Sequence, residues 1–157
     1  MANTQAMCSS FKSELMLGIH CLGAATLGTA RGATTSITAD TVKAALYLTT
    51  ATVNAATTAY SATNEVSGTN YTAGGATVTN ATAPSTSGTA AIWTPSASIS
   101  WTTVTLSTAF DCVLLYNSSQ SNRAISAHTF GAQTVTAGNF SLTMPTNAVG
   151  TALLQIS

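Results

Sequence analysis

After Asp40 the apolar pattern of this chain changes from a helical period to a period of two, and it does not change back. In the stretch TVKAALYL, Val42, Ala44, Leu46 and Leu48 fall on one side, and Thr41, Lys43, Ala45 and Tyr47 on the other. That alternation describes a half-buried strand. Short runs rich in β-branched and aromatic residues then recur at close spacing, divided by Gly, Pro, Asn and Ser: 76–79, 90–93, 97–101, 103–106, 112–116, 124–130, 133–136, 139–144 and 152–156. Pro84, Pro95 and Pro145 all lie outside these runs, where a missing N–H does least harm. The rhythm predicts a mainly β fold, a β-sandwich or jelly-roll-like domain whose last strand is tied into a sheet.

One helical pattern precedes the switch. Over residues 9–22, Phe11, Leu15, Ile19 and Leu22 recur at i, i+4, i+8 and i+11, with Lys12 and Glu14 off that stripe. Ser9 or Ser10 is placed to cap the first turn. Gly18 falls mid-segment and weakens it by up to ~1 kcal/mol. The small, Gly-rich stretch 23–35 reads as a loop or arm. The expected organisation is an N-terminal helix and arm over 1–35 and a β-sandwich over 36–157, one structural domain overall.

Residues 54–75 form a polar, irregular excursion ending in Gly74-Gly75. Ordered loops of this length are uncommon without a purpose. Tyr60 and Tyr71 are its expected anchors. Glu65, the only charge between Lys43 and Asp111, is an expected partner for Arg31, Lys43 or Arg123 of the same or a neighbouring subunit.

Composition narrows the function. Only 5% of the 157 residues are charged, against roughly 25% in an average domain, and Thr fills about a fifth of the chain. With a formal net charge of zero, little repulsion keeps copies apart. Four dispersed basic residues, Lys12, Arg31, Lys43 and Arg123, cannot follow a phosphate backbone, so no nucleic-acid partner is expected. The longest apolar stretch, 15–28, is broken by His20 and falls short of a membrane span, so no membrane partner is expected. Cys8, Cys21 and Cys112 show no metal or redox spacing and read as small buried hydrophobes, with a Cys8–Cys21 or intersubunit disulfide left open.

Titratable groups are few: Glu14, Asp40, Glu65 and Asp111, with His20 and His128. There is no nucleophile elbow, phosphate loop or paired histidine at ligand spacing. The expectation is a protein that is not an enzyme, with no cofactor and no metal.

Several blocks carry a resemblance: Cys8-Ser-Ser-Phe11-Lys12, the run from Asp40 to Tyr47, the run from Thr57 to Gly68, Tyr71-Thr-Ala-Gly-Gly75, Leu115-Tyr-Asn-Ser-Ser119 and Phe130-Gly131. Together they resemble a family of small virion proteins of tailed bacteriophages. The chain departs from that pattern in having no charge over 76–110. The resemblance implies a structural subunit made in the host bacterial cytoplasm and localised to the virion, with major capsid or tail proteins and further copies of itself as partners. A capsid decoration or cement protein is the first expectation, and a tail-tip, baseplate or adaptor component the alternative. A carbohydrate-binding adhesion module is a further alternative, with Trp93, Trp101, Tyr60 and Tyr71 as a stacking platform. The expected assembly interface comprises Phe11, Leu15, Ile19, Leu22, Tyr60, Glu65 and Tyr71.

Overall fold

The computed structural model describes residues 2–27, 35–80 and 82–157. In chain order the elements are β1 (Ala6–Met7), α1 (Ser9–Met16), β2 (Ala25–Leu27), β3 (Thr35–Ile37), β4 (Val42–Leu48), β5 (Ala76–Thr77), β6 (Ser85–Ser87), β7 (Ala90–Trp93), β8 (Ile99–Asn117), β9 (Arg123–Leu142) and β10 (Leu154–Ile156). The fold is mainly β with one short helix, as the sequence predicts. An antiparallel five-stranded sheet has the order β1-β9-β8-β4-β5, and a three-stranded sheet the order β10-β7-β6. β2 pairs with β3, so the ends of the stretch expected to be a loop or arm are paired strands. The part of that arm at 28–34, with Arg31, lies outside the described residues.

Two strands carry the architecture. β8 is 19 residues long and β9 is 20, and they pair along their whole length. The sequence divides this region into six short strands; the structure joins them into two. Register shifts fall at 101–104, 104–106, 106–110 and 110–112. Thr103 and Ala137 take left-handed backbone angles, φ 54° and 45°. The expected breaks are therefore bulges, which bend a ladder without ending it.

The bend is large. Phe130 and Phe140 lie on one strand, and ten straight residues would separate them by about 33 Å. Their ring centroids are 5.4 Å apart, and Phe110 contacts both rings edge-on at 6.0 and 4.9 Å. The hairpin is thus folded back on itself. Ile99 and Leu142, at its far end, meet Val113, Leu115 and His128 near its turn, together with Leu153 from beside β10. The same two strands contribute to both layers of the sandwich, the corner arrangement that bulges allow.

β4 departs from the half-buried expectation. Ala45 and Tyr47 are as well buried as Val42, Ala44 and Leu46. The physical reason is the excursion 49–75, which lies along the strand: Val66 N–H donates to Leu46 O and Leu48 N–H to Asn64 O, at 2.9 and 3.0 Å. With β5 it completes the outer edge of β4. Gly75 permits the close approach. Its φ is +71°, and a Cβ there would lie 1.8 Å from Ala44 O.

The helix is shorter than its apolar stripe. α1 stops at Met16, with Leu17 as its C-cap and Gly18 at φ +69°. Gly18 N–H donates to Leu15 O and Ile19 N–H to Glu14 O, both 3.0 Å, a Schellman closure that requires the glycine. Gly18 therefore terminates the helix instead of weakening its middle. The N-cap is Cys8, with no side-chain cap bond. Its N–H donates to Ile125 O, so sheet pairing and not a serine sets the start. Cys8, Phe11 and Leu22 share one core cluster with the strands, so residues on both sides of position 35 pack together.

Phe110 is fully buried at the centre of the fold-back. Phe110→Ala is expected to lower unfolding free energy by about 3–5 kcal/mol, measured by urea denaturation. A loss below about 1 kcal/mol would show that the fold-back does not depend on that ring.

Candidate functional site

Two polar clusters hold the irregular parts of the chain to the sheet. The first joins the N-terminal segment to the β8–β9 turn. Glu14, which the sequence places on the solvent side of α1, is 5% exposed. It accepts from the Arg123 guanidinium and faces His20 Nε2 at 2.7 Å. His20 Nδ1 faces Asn117 Nδ2 at 3.0 Å, and the same amide donates to Asp40 Oδ2 at 2.7 Å. Both amide hydrogens are thereby engaged, which makes Nδ1 the acceptor and Nε2–H the donor to Glu14. Asn117 Oδ1 accepts from the Ser119 and Gln120 N–H groups, and Asp40 Oδ2 from Cys21 N–H. Burial opposes ionisation of Glu14, but the His20 and Arg123 bonds outweigh it and hold the carboxyl below its ordinary value.

The second cluster is the excursion itself. Tyr60 Oη donates to Glu65 Oε2 at 2.6 Å, and Tyr71 Oη to Oε1 at 2.8 Å. Gly74 N–H also donates to Oε1, and Tyr116 Oη donates to Gly74 O at 2.7 Å. Tyr71 Oη in turn accepts from Leu46 N–H on β4 at 3.0 Å. Tyr60 stacks on Tyr116 with centroids 4.7 Å apart, and Tyr47 Oη donates to Ser61 O. Burial, reinforced by the Glu65 charge, pushes the Tyr60, Tyr71 and Tyr116 phenols up. These hydroxyls stay protonated and serve as donors.

The expected interface residues thus fall into two groups. Tyr60, Glu65 and Tyr71 are half-buried and bonded to one another. Among the described residues Glu65 has no ion pair; tyrosine hydroxyls and a backbone N–H satisfy it where a cation was expected. Phe11 and Leu22 are buried, and Leu15 and Ile19 are half-buried. Phe11, Leu15 and Leu22 line one apolar groove with Met7, Trp93 and Leu154, whereas Ile19 does not. Sequence reasoning missed Glu14, Asp40, Asn117 and Arg123, because their meeting depends on a turn more than 75 residues from Asp40.

The aromatic side chains do not form a stacking platform. Trp93 and Trp101 are 2% and 5% exposed, and the Tyr60 and Tyr71 hydroxyls are engaged internally. All three cysteines are free, and among the described residues no group of His, Cys, Asp and Glu is placed to hold a metal. His128 sits 2.9 Å from Ser126 Oγ, and burial pushes its imidazole down to about 4. No protein-family model, curated protein or solved structure matches the chain.

These groups set an acid profile. His128 has a folded value below its ordinary 6.5, so its contribution is complete above 6.5 and is lost as pH falls toward about 4. Glu14 is lowered from 4.5, so its contribution is complete above 4.5 and is lost as pH falls through the lower folded value. The expected Tm profile therefore declines in two steps. Glu14→Gln should flatten the lower step and His128→Gln the upper, and an unchanged profile in either variant would refute that assignment.

Glu65→Gln should cost about 1.5–3 kcal/mol, because charge-assisted acceptors are replaced. It should also speed amide exchange selectively at residues 60–75. Uniform exchange in both proteins would refute the role of Glu65 as the tie.

Proposed function

We propose that this protein is a non-enzymatic structural subunit of a tailed-phage virion, a decoration or cement protein that binds between capsid subunits. The observation that carries this reading is where the polar chemistry is used. Glu14, His20, Asp40, Glu65 and the hydroxyls of Tyr47, Tyr60, Tyr71 and Tyr116 all bond one segment of the chain to another. Among the described residues the exposed surface is rich in uncharged residues, Thr, Ser, Ala and Gly foremost, as along 131–139. A surface nearly without charge suits burial against neighbours, since charged residues are depleted from interface cores. The resemblance of the Cys8–Lys12, Asp40–Tyr47 and Leu115–Ser119 blocks to small virion proteins supplies the biological setting.

A cement protein would gain free energy from buried apolar area, at ~25 cal/mol per Å², repeated over many copies. In this reading the tied excursion 54–75 offers its outer surface to the neighbouring subunit as a preformed block. Little ordering entropy then remains to oppose binding.

Purified particles provide the test. The expected result is hundreds of copies per particle by quantitative mass spectrometry, and rebinding of purified protein to stripped heads. A handful of copies confined to tails, or no rebinding, would overturn the decoration role.

A further inference from the structure

The fold-back of the β8–β9 hairpin does not close completely. Between its halves it leaves an apolar pocket of about 150 Å³, with Val113, Leu115 and Phe130 from the part nearer the turn and Ile99, Leu142 and Met144 from the far end. His128 is the one ionisable residue in its lining. This imidazole takes no part in either carboxylate cluster. Its one side-chain hydrogen bond among the described residues is with Ser126 Oγ, 2.9 Å from Nε2. Ser126 is fully buried, and its hydroxyl has no other partner among the described residues. A buried hydroxyl hydrogen without an acceptor is costly, so the hydroxyl donates and Nε2 accepts. The neutral ring then carries its hydrogen on Nδ1, a donor with no acceptor among the described residues. Burial keeps the ring in that neutral form, pushing its value down to about 4. An apolar pocket that holds an unused polar group and a shifted ionisation has the make-up of a small-molecule site.

We infer that this pocket binds a neutral molecule about one ring in size, whose single hydrogen-bond acceptor, a carbonyl or ether oxygen, takes the Nδ1–H of His128. The size follows from the volume, since an apolar cavity of that order admits benzene. The charge follows from the lining. A carboxylate or ammonium group would give up its water with no opposite charge to meet it, at a cost the walls do not offset. The acceptor follows from Nδ1. A bare hydrocarbon would fill the walls and leave the donor unmatched, and water would match the donor and leave the walls without contacts. Met144, unbranched and adaptable, lets one wall follow the outline of the ligand. The inference does not depend on the virion reading.

NMR titration of the full chain at neutral pH tests it, with acetophenone, ethylbenzene and benzoate as probes. Acetophenone has one ring and one carbonyl oxygen. It is expected to saturate, with amide shifts confined to 113–115, 128–130 and 142–144 and a shift of the His128 ring-nitrogen signals. His128→Phe keeps a ring and removes the donor, so it should raise the acetophenone dissociation constant about 10-fold. Ethylbenzene, which has a similar shape without the oxygen, should bind wild type and variant alike. If the variant does not fold, the wild-type ring nitrogens decide alone, and a Nδ1 signal unmoved at saturation overturns the inference. So does a wild type that shows no saturable binding of acetophenone or shows it away from the pocket. A folded His128→Phe that binds acetophenone as well as the wild type, or benzoate that binds as tightly as acetophenone, overturns it equally.

Discussion

The fold-back of the β8–β9 hairpin is the constraint on which the rest of the structure depends. A flat hairpin of that length would expose two long faces and two open edges. Folding it at the bulges between 101 and 112 turns one face inward, where Phe110, Phe130 and Phe140 hold the corner. Each half of the hairpin then supplies the apolar surface that the other half covers. The small sheet β10-β7-β6 contributes to the core that results, with Trp93 and Leu154 in the same cluster as Val113 and Leu115.

Once the corner is made, the outward face near the turn still carries Cys112, Leu114 and Tyr116, all buried. The excursion 49–75 and the segment before β2 protect what remains, and each needs a tie because neither has a long ladder of its own. The ties are alike in design. A carboxylate gathers neutral or cationic donors: Glu65 from Tyr60, Tyr71 and Gly74 of its own excursion, Glu14 from nearby His20 and from Arg123 over a hundred residues on. A carboxylate with both oxygens engaged escapes part of the penalty of burial, but it becomes costly when a donor is removed. Each tie is therefore stable when complete and sensitive to loss of any one member.

How far the sequence revealed this depends on the range of the interaction. The run 90–93 emerged as β7 with the same limits, and the alternation at 42–48 as β4, because period-two patterning is local. Tyr60 and Tyr71 were legible as anchors, since a polar loop with two large rings must put them somewhere. The joined strands were not legible. Bulges and turns use the same Gly, Ser and Thr, and only the partner strand decides between them. Glu14 was misplaced for a related reason. An apolar stripe predicts which helix face is buried, but an ion pair with Arg123, over a hundred residues on, reverses that for one side chain. Gly18 shows the same limit at shorter range, because the stripe continues past it while its backbone angle ends the helix.

The division between internal and external chemistry follows from these ties. Glu14 and Glu65 sit where a well-matched partner set determines the position of a segment, and the described exterior is rich in hydroxyls and methyls. Such an exterior is weakly hydrated compared with a charged one, so little desolvation opposes its burial against a similar surface. It also lacks the like-charge repulsion that keeps free copies apart at high concentration. Dispersal in dilute solution would then depend on the absence of a large apolar patch. The Met16–Leu17 corner and the groove beside Ile156 are where that condition fails most clearly among the described residues.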